Sequence, residues 1–306
     1  MKTKLGRTLA LALAAATMLG TAAQAHRQWL YPSSTILSGD DTWVTVDAAV
    51  SNDLFYFDHQ PIRLDNVKVT GPDGAEVKIE NGATGRYRSV FDVHLLAQGT
   101  YRIANASSNV MGSYTLNGEE KRLPRGTTTA NLAAAIPAGA TNVQTAEASN
   151  RVETYVTVGA PTETVFKTTG VGIELVPVTH PNDLVVGEKA TFKFLLDGKP
   201  AANLNVAVVP GGKRYNDALT ETTLKTDGEG KVEITWPTAG MYWLNVSMGG
   251  GREGGGMGGP GGPGGPGGGM GQGGPQGAGP AGGPRPPAGR PQRRAGYVVT
   301  LEVLAP

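Results

Sequence analysis

Short apolar segments alternating with period two, punctuated by turn-forming residues, run through most of this 306-residue chain. In Trp43 to Val50, the residues Val44, Val46, Ala48 and Val50 fall on one face, and Trp43, Thr45 and Asp47 on the other. Successive side chains of a strand point to opposite sides, so this pattern predicts a strand buried on one face. Val67 to Val69 and Glu76 to Ile79 flank Gly71-Pro72-Asp73-Gly74, residues suited to a tight turn. Tyr87 to Leu95 and Thr100 to Ile103 predict two more strands around Gln98-Gly99. There is no cysteine. No disulfide can staple the fold, so ordinary apolar cores must hold it.

The expected architecture is all-β: two immunoglobulin-like β-sandwich domains in tandem. The first covers 26–117. Residues 118–159 form a connector with a linking strand at Val152 to Val158, and a short helix or apolar loop at Leu132 to Ile136. The second covers 160–306, with strands at Ile173–Val176, Ala190–Leu196, Asn205–Val209, Lys231–Trp236 and Met241–Val246. Its spacing of short strands and Asp-Gly turns fits an immunoglobulin-like sandwich. Residues 249–296 form a Gly/Pro-rich tract, too short and irregular in its repeat for collagen, and predict a disordered insertion. The alternating strand Tyr297 to Val303 follows it. The tract is therefore an insertion in a hairpin, and the strand after it should pair with Met241–Val246.

The N-terminus has the marks of a secretory signal peptide: basic Lys2, Lys4 and Arg7, an apolar run from Leu9 to Leu19, and Ala23-Gln24-Ala25 as a cleavage site. Cleavage after Ala25 places the mature chain in the periplasm and makes His26 its first residue. No later segment is apolar and long enough to predict a membrane span. The formal charge of +1 falls to −2 once those three basic residues leave. The basic residues that stand out, such as Arg285 and Arg290, lie in the Gly/Pro tract, and no nucleic-acid surface is expected.

An N-terminal histidine offers a metal both its imidazole and its α-amine, whose pKa of about 7.7–8.0 lets it deprotonate near neutrality. The chain has four histidines: His26, His59, His94 and His180. His59 sits in the aromatic loop Phe55-Tyr56-Phe57-Asp58-His59. His94 shares a strand face with Asp92, opposite Phe91, Val93 and Leu95. His180, in Val178-Thr179-His180-Pro181, reads as a turn residue. The expected metal ligands are His26, His59 and His94, with Asp92 and Asp58 orienting the imidazoles. Imidazole donors suit Ni, Cu, Co and Fe. The amino-terminal Cu/Ni motif that needs histidine third is absent, because Gln28 stands there. There is no Gly-x-Ser-x-Gly elbow and no phosphate loop, so no catalytic residues and no enzymatic activity are expected.

Several phrases carry a resemblance: Ser51-Asn52-Asp53 with Phe57-Asp58-His59, Asp92-Val93-His94-Leu95 with Gly99-Thr100-Tyr101, Glu174-Leu175-Val176-Pro177 with Thr179-His180-Pro181, Leu196-Asp197-Gly198-Lys199-Pro200, and Gly240-Met241-Tyr242-Trp243-Leu244. With these the chain resembles the DUF4198 family. The resemblance implies an exported two-domain β protein associated with nickel or cobalt uptake. His26 is also similar to the terminal histidine of periplasmic copper carriers and copper oxygenases. The leading expectation is a periplasmic accessory protein for transition-metal uptake or handling. Its partner would be a membrane transporter or an outer-membrane receptor component. The alternative, from another class, is a β-sandwich binding or adhesion module for a protein, receptor or glycan.

Overall fold

The computed structural model describes residues 26–248 and 292–306. The expected signal peptide, 1–25, and residues 249–291 of the Gly/Pro tract lie outside the described residues. In chain order the strands are β1 (Arg27–Pro32), β2 (Ile36–Leu37), β3 (Thr42–Ser51), β4 (Gln60–Pro61), β5 (Val67–Thr70), β6 (Glu76–Val77), β7 (Ile79–Thr84), β8 (Ser89–Leu95), β9 (Gly99–Leu116), β10 (Glu119–Arg122), β11 (Thr141–Val158), β12 (Ile173–Pro177), β13 (Lys189–Leu196), β14 (Lys199–Pro200), β15 (Asn205–Pro210), β16 (Thr222–Lys225), β17 (Lys231–Thr235), β18 (Gly240–Ser247) and β19 (Gln292–Val303). Among the described residues one short α-helix, α1 (Leu132–Ala135), lies between β10 and β11.

These strands form three sheets. The first has the order β1-β3-β8-β7, with β4 beside β3. The second is ten-stranded and runs β16-β15-β18-β19-β11-β9-β5-β6, with β10 on β9 and β2 on β11. The third is β12-β13-β14, with β17 on β13. The fold is the all-β, immunoglobulin-like sandwich architecture that the alternation predicts. Each expected strand is present, and β3 buries Val44, Val46 and Ala48 while Trp43 and Thr45 face out. The strand after the insertion does pair with β18, antiparallel from Gly240↔Val303 to Ser247↔Gly296.

The two cores lie on opposite faces of the second sheet. Toward the first sheet, Val152, Val156, Val158, Trp243 and Val298 pack with Trp29, Val46 and Phe91. Toward the third, Tyr155, Tyr242, Leu244, Tyr297 and Val299 pack with Phe192, Phe194 and Trp236. The period-2 geometry of a strand makes this division strict: on β18, Trp243 joins one core while Tyr242 and Leu244 join the other. The sandwiches therefore share a sheet and are not two separate sheet pairs in succession.

Two strands are far longer than their sequence signal. β9 continues through Asn105-Ala106-Ser107-Ser108-Asn109, which has no apolar alternation, and β11 starts at Thr141. They pair antiparallel from Gly99↔Val158 to Thr115↔Thr141. Beyond the main sheets they form an arm with its own small cluster of Val110, Tyr114 and Leu123, backed by Leu132 and Ile136. Backbone pairing supplies the hydrogen bonds there, which is why residue pattern alone did not mark it.

A buried charge network ties the second core to the shared sheet. Glu153 on β11 accepts hydrogen bonds from Tyr155 Oη at 2.7 Å, Tyr297 Oη at 2.9 Å and Arg151 Nη1 at 3.2 Å. Arg151 Nη2 donates to Glu174 Oε1 on β12 at 3.2 Å. Glu174 also accepts the backbone N–H groups of Thr169 and Gly170, each at 2.8 Å. Burial and the Glu153 charge push both phenols well above their usual range, so they stay neutral donors. Removing the Arg151 guanidinium takes the cation from Glu174, which is 4% exposed, and leaves Glu153, 2% exposed, with only Arg102 Nε at 4.0 Å. Arg151→Met is therefore expected to destabilise the protein by about 3–5 kcal/mol in chemical denaturation. By contrast, replacing 249–291 with a four-residue turn is expected to keep the fold and raise stability by up to about 2 kcal/mol, from reduced loop-closure entropy.

Candidate functional site

The first sandwich brings His26 and His59 together. β1 pairs with β3 through Arg27↔Ser51, and β4 pairs with β3 through Val50↔Gln60. Both histidines thus flank the same end of β3, each one residue outside its strand. Their rings stack, with centroids 3.7 Å apart and planes 12° from parallel.

Both sides of this pair are held. Behind His26, Arg27 pairs with Glu221 at 2.8 Å. The Gln28 carbonyl accepts the Trp243 indole N–H at 2.8 Å, and Gln28 Oε1 accepts from Asn150 at 3.0 Å. Trp29 Nε1 donates to Ser51 Oγ at 2.8 Å. Before His59, Asp58 organises the loop: Oδ1 accepts the Asn52 N–H at 2.8 Å and Oδ2 the Asp53 N–H at 3.3 Å. Phe55 takes a left-handed φ of 60° there, and Phe55 and Phe57 pack their rings at 5.6 and 5.5 Å from Trp29. Asp58 was expected to orient an imidazole; it caps the loop that carries one.

His94 is elsewhere. It pairs across from Trp43, at the other end of β3, whereas His26 lies next to Ser51's partner. Eight residues at about 3.4 Å each put Trp43 and Ser51 about 27 Å apart. The expected convergence of three histidines is therefore corrected to a pair, because β3 runs the full length of the sheet between them. His94 Nε2 meets Asp41 Oδ1 at 2.5 Å, and its ring stacks on Trp43 with centroids 4.0 Å apart. Asp92 does not orient it either. Asp92 accepts from Thr45 Oγ1 at 2.7 Å and Asn81 Nδ2 at 2.9 Å, bonds that hold its carboxyl below the ordinary range. Asp41 was the partner missed. Its only signal was its place just before β3, and pairing it with His94 requires the β3–β8 register.

The family profile described as "Domain of unknown function (DUF4198)" matches residues 23–250. The chain belongs to the DUF4198 family. No curated protein matches the sequence. Among solved structures, this DUF4198 protein is similar to the D0-D1 domain of intimin, at 14% identity and a TM-score of 0.18, over 71% of this chain and 88% of that one. It is also similar to a DUF4785 family protein from Legionella pneumophila, at 7% identity and a TM-score of 0.22, over 71% of this chain and 50% of that one. At these values neither likeness carries a functional argument.

Among the described residues, no cluster of three or more His, Cys, Asp or Glu side chains is placed to hold a metal ion. No helix among them is long and apolar enough to cross a membrane. A His26–His59 site would draw its third nitrogen from the main chain, which makes it a two-residue site. In the full chain that nitrogen is an amide, and only cleavage after Ala25 would make it an amine donor. Imidazole lone pairs lie in the ring plane, so stacked rings aim them in parallel. One ring must turn for both to meet a single ion.

His180 is a structural turn residue, as its sequence context predicts. Nδ1 accepts the Asn182 N–H at 3.1 Å, so Nε2 carries the proton and donates to Thr100 Oγ1 at 3.1 Å. Burial pushes its pKa below the ordinary 6.5. The unfolded chain therefore binds a proton that the folded chain refuses, and stability rises with pH across that window. Urea midpoints are expected to be highest above pH 6.5 and to fall as pH drops toward 5.5. His180→Gln should flatten that part of the profile.

Proposed function

We propose that the mature protein is an exported, non-enzymatic metal-binding accessory protein of the periplasm. Its donors are the α-amine and imidazole of His26 and the imidazole of His59. The 3.7 Å stack of the two rings is the observation that carries this reading. Two histidines from segments 33 residues apart are held against one another by a capped loop and an anchored strand. That anchoring favours binding, because little backbone freedom remains to be lost and only a turn of one imidazole is needed when an ion arrives.

A donor set of three nitrogens, with no thiolate in the chain, suits Ni, Cu, Co and Fe, and Cu(II) binds such donors most tightly among the divalent ions. The ion is cargo, to be passed to a membrane transporter or an outer-membrane receptor component. His94 takes no part, and Asp58 contributes by holding the loop.

Calorimetric titration with Cu(II) and Ni(II) tests this on protein that begins at His26. One ion should bind per chain. Adding one alanine before His26, or His59→Ala, should weaken binding at least tenfold, whereas His94→Ala should leave it unchanged. Affinity should fall as pH is lowered from 8 to 5, because protons compete for the same nitrogens. Equal affinity with and without the extra residue would remove the amine from the donor set.

A further inference from the structure

The loop that carries His59 also helps build a second concavity, which the metal reading does not use. A cavity of about 280 Å³ opens between β1, β3, the 55–57 loop and the chain after β15. Its aromatic lining is Trp29, Tyr31, Phe55 and Phe57. The rings meet at steep angles: Tyr31 and Phe55 are 4.9 Å apart at 76°, and Trp29 and Phe55 5.6 Å apart at 84°. These edge-to-face contacts brace the wall: Trp29 is fully buried and backs it, while the partly buried Tyr31, Phe55 and Phe57 are the rings that reach the cavity. The carboxylate of Asp47 stands in the same wall.

The protein already shows what this wall attracts. The Arg88 guanidinium lies 4.3 Å above the Phe57 ring centroid and 3.3 Å from Asp47 Oδ1. That arginine is 46% exposed and sits at the rim, outside the residues that line the cavity. It also neutralises Asp47 incompletely. Desolvation raises the Asp47 carboxyl above its ordinary range despite Arg88, and the Asp47 and Glu302 charges both bear on Tyr31. A second positive charge in the cavity would relieve a carboxylate that its own partner leaves short.

We propose that this cavity binds a small organic cation of the alkylated-ammonium class, with the rings of Tyr31, Phe55 and Phe57 against the alkyl groups and Asp47 as the counter-charge. Weak hydration decides the class. Methylated ammonium groups give up water readily and match apolar, electron-rich walls, whereas a bare ammonium or a divalent ion would lose its hydration shell to rings that cannot replace it. The proposal is independent of the His26–His59 site.

The test titrates the full mature protein with choline, and with 3,3-dimethylbutanol, its neutral isostere, at constant ionic strength. Choline should bind saturably, with an affinity at least tenfold above that of the isostere. Asp47→Asn should cost choline at least tenfold and leave the isostere unaffected, and Phe57→Leu should weaken choline. Arg88→Ala should tighten choline, because it clears the built-in cation; a purely structural role for Arg88 would give the opposite sign. Far-UV circular dichroism checks that each variant folds. Competition by phosphatidylcholine vesicles would show that the group can be read on a lipid headgroup, and absence of competition that a free solute is the ligand. Failure of choline to saturate, or equal binding of choline and the isostere, would overturn the proposal.

Discussion

The C-terminal half of β11 is buried on both faces, and the rest of the fold is arranged around that fact. From Val152 to Val158 every residue is inside. Even-numbered positions supply the core under the first sheet and odd-numbered ones face the core under the third. The strand's edges are also taken, by β9 antiparallel and by β19 parallel. A strand enclosed in this way cannot slip by one residue without exchanging the contents of two cores. Its polar residues are correspondingly constrained. Thr154 donates to the Thr300 carbonyl, Thr157 bonds Asn182, and Glu153 is held by two phenols and an arginine. A buried group of this kind is costly unless fully partnered.

The candidate site inherits its precision from the shared sheet. β1 belongs to the first sheet, yet Gln28 is tied to Trp243 on β18 and Asn150 on β11, and Arg27 to Glu221. The residue before Arg27 is therefore positioned by contacts from three distant segments. The His59 loop is anchored across the same junction. Arg214 pairs with Asp53 and lies 3.8 Å over the Tyr56 ring, and Phe55 closes against Gly211, where an added Cβ would come within 3.0 Å of the ring. Glycine at 211 is a close-approach requirement that also shapes the aromatic cavity beside the histidines.

Particular residues show how far sequence reasoning reached. The faces of β3 and β8 were legible, because alternation with period two is a direct consequence of strand geometry. So were the Gly71–Gly74 turn and the structural role of His180. β1 was not recognised, since Arg27-Gln28-Trp29-Leu30-Tyr31-Pro32 lacks clean alternation, and Trp29 and Leu30 are both buried. The arm of β9 and β11 was missed because its residues make few apolar contacts, and cross-strand backbone bonds leave no trace in composition. Of the proposed ligands, two of three histidines meet; the third shared their domain without sharing their end of it.

The sequence by itself determined the class of fold, the faces of most strands, the hairpin interrupted by the Gly/Pro tract, and the short inventory of nitrogen ligands. Those are local properties, written in residue type, period and spacing. Only the tertiary structure decided that two cores share one sheet, that His26 stands against His59, and that His94 belongs with Asp41 and Trp43. Each of these depends on register and pairing between segments far apart in the chain. Register is set by which side chains can be buried together, and no single segment contains that information.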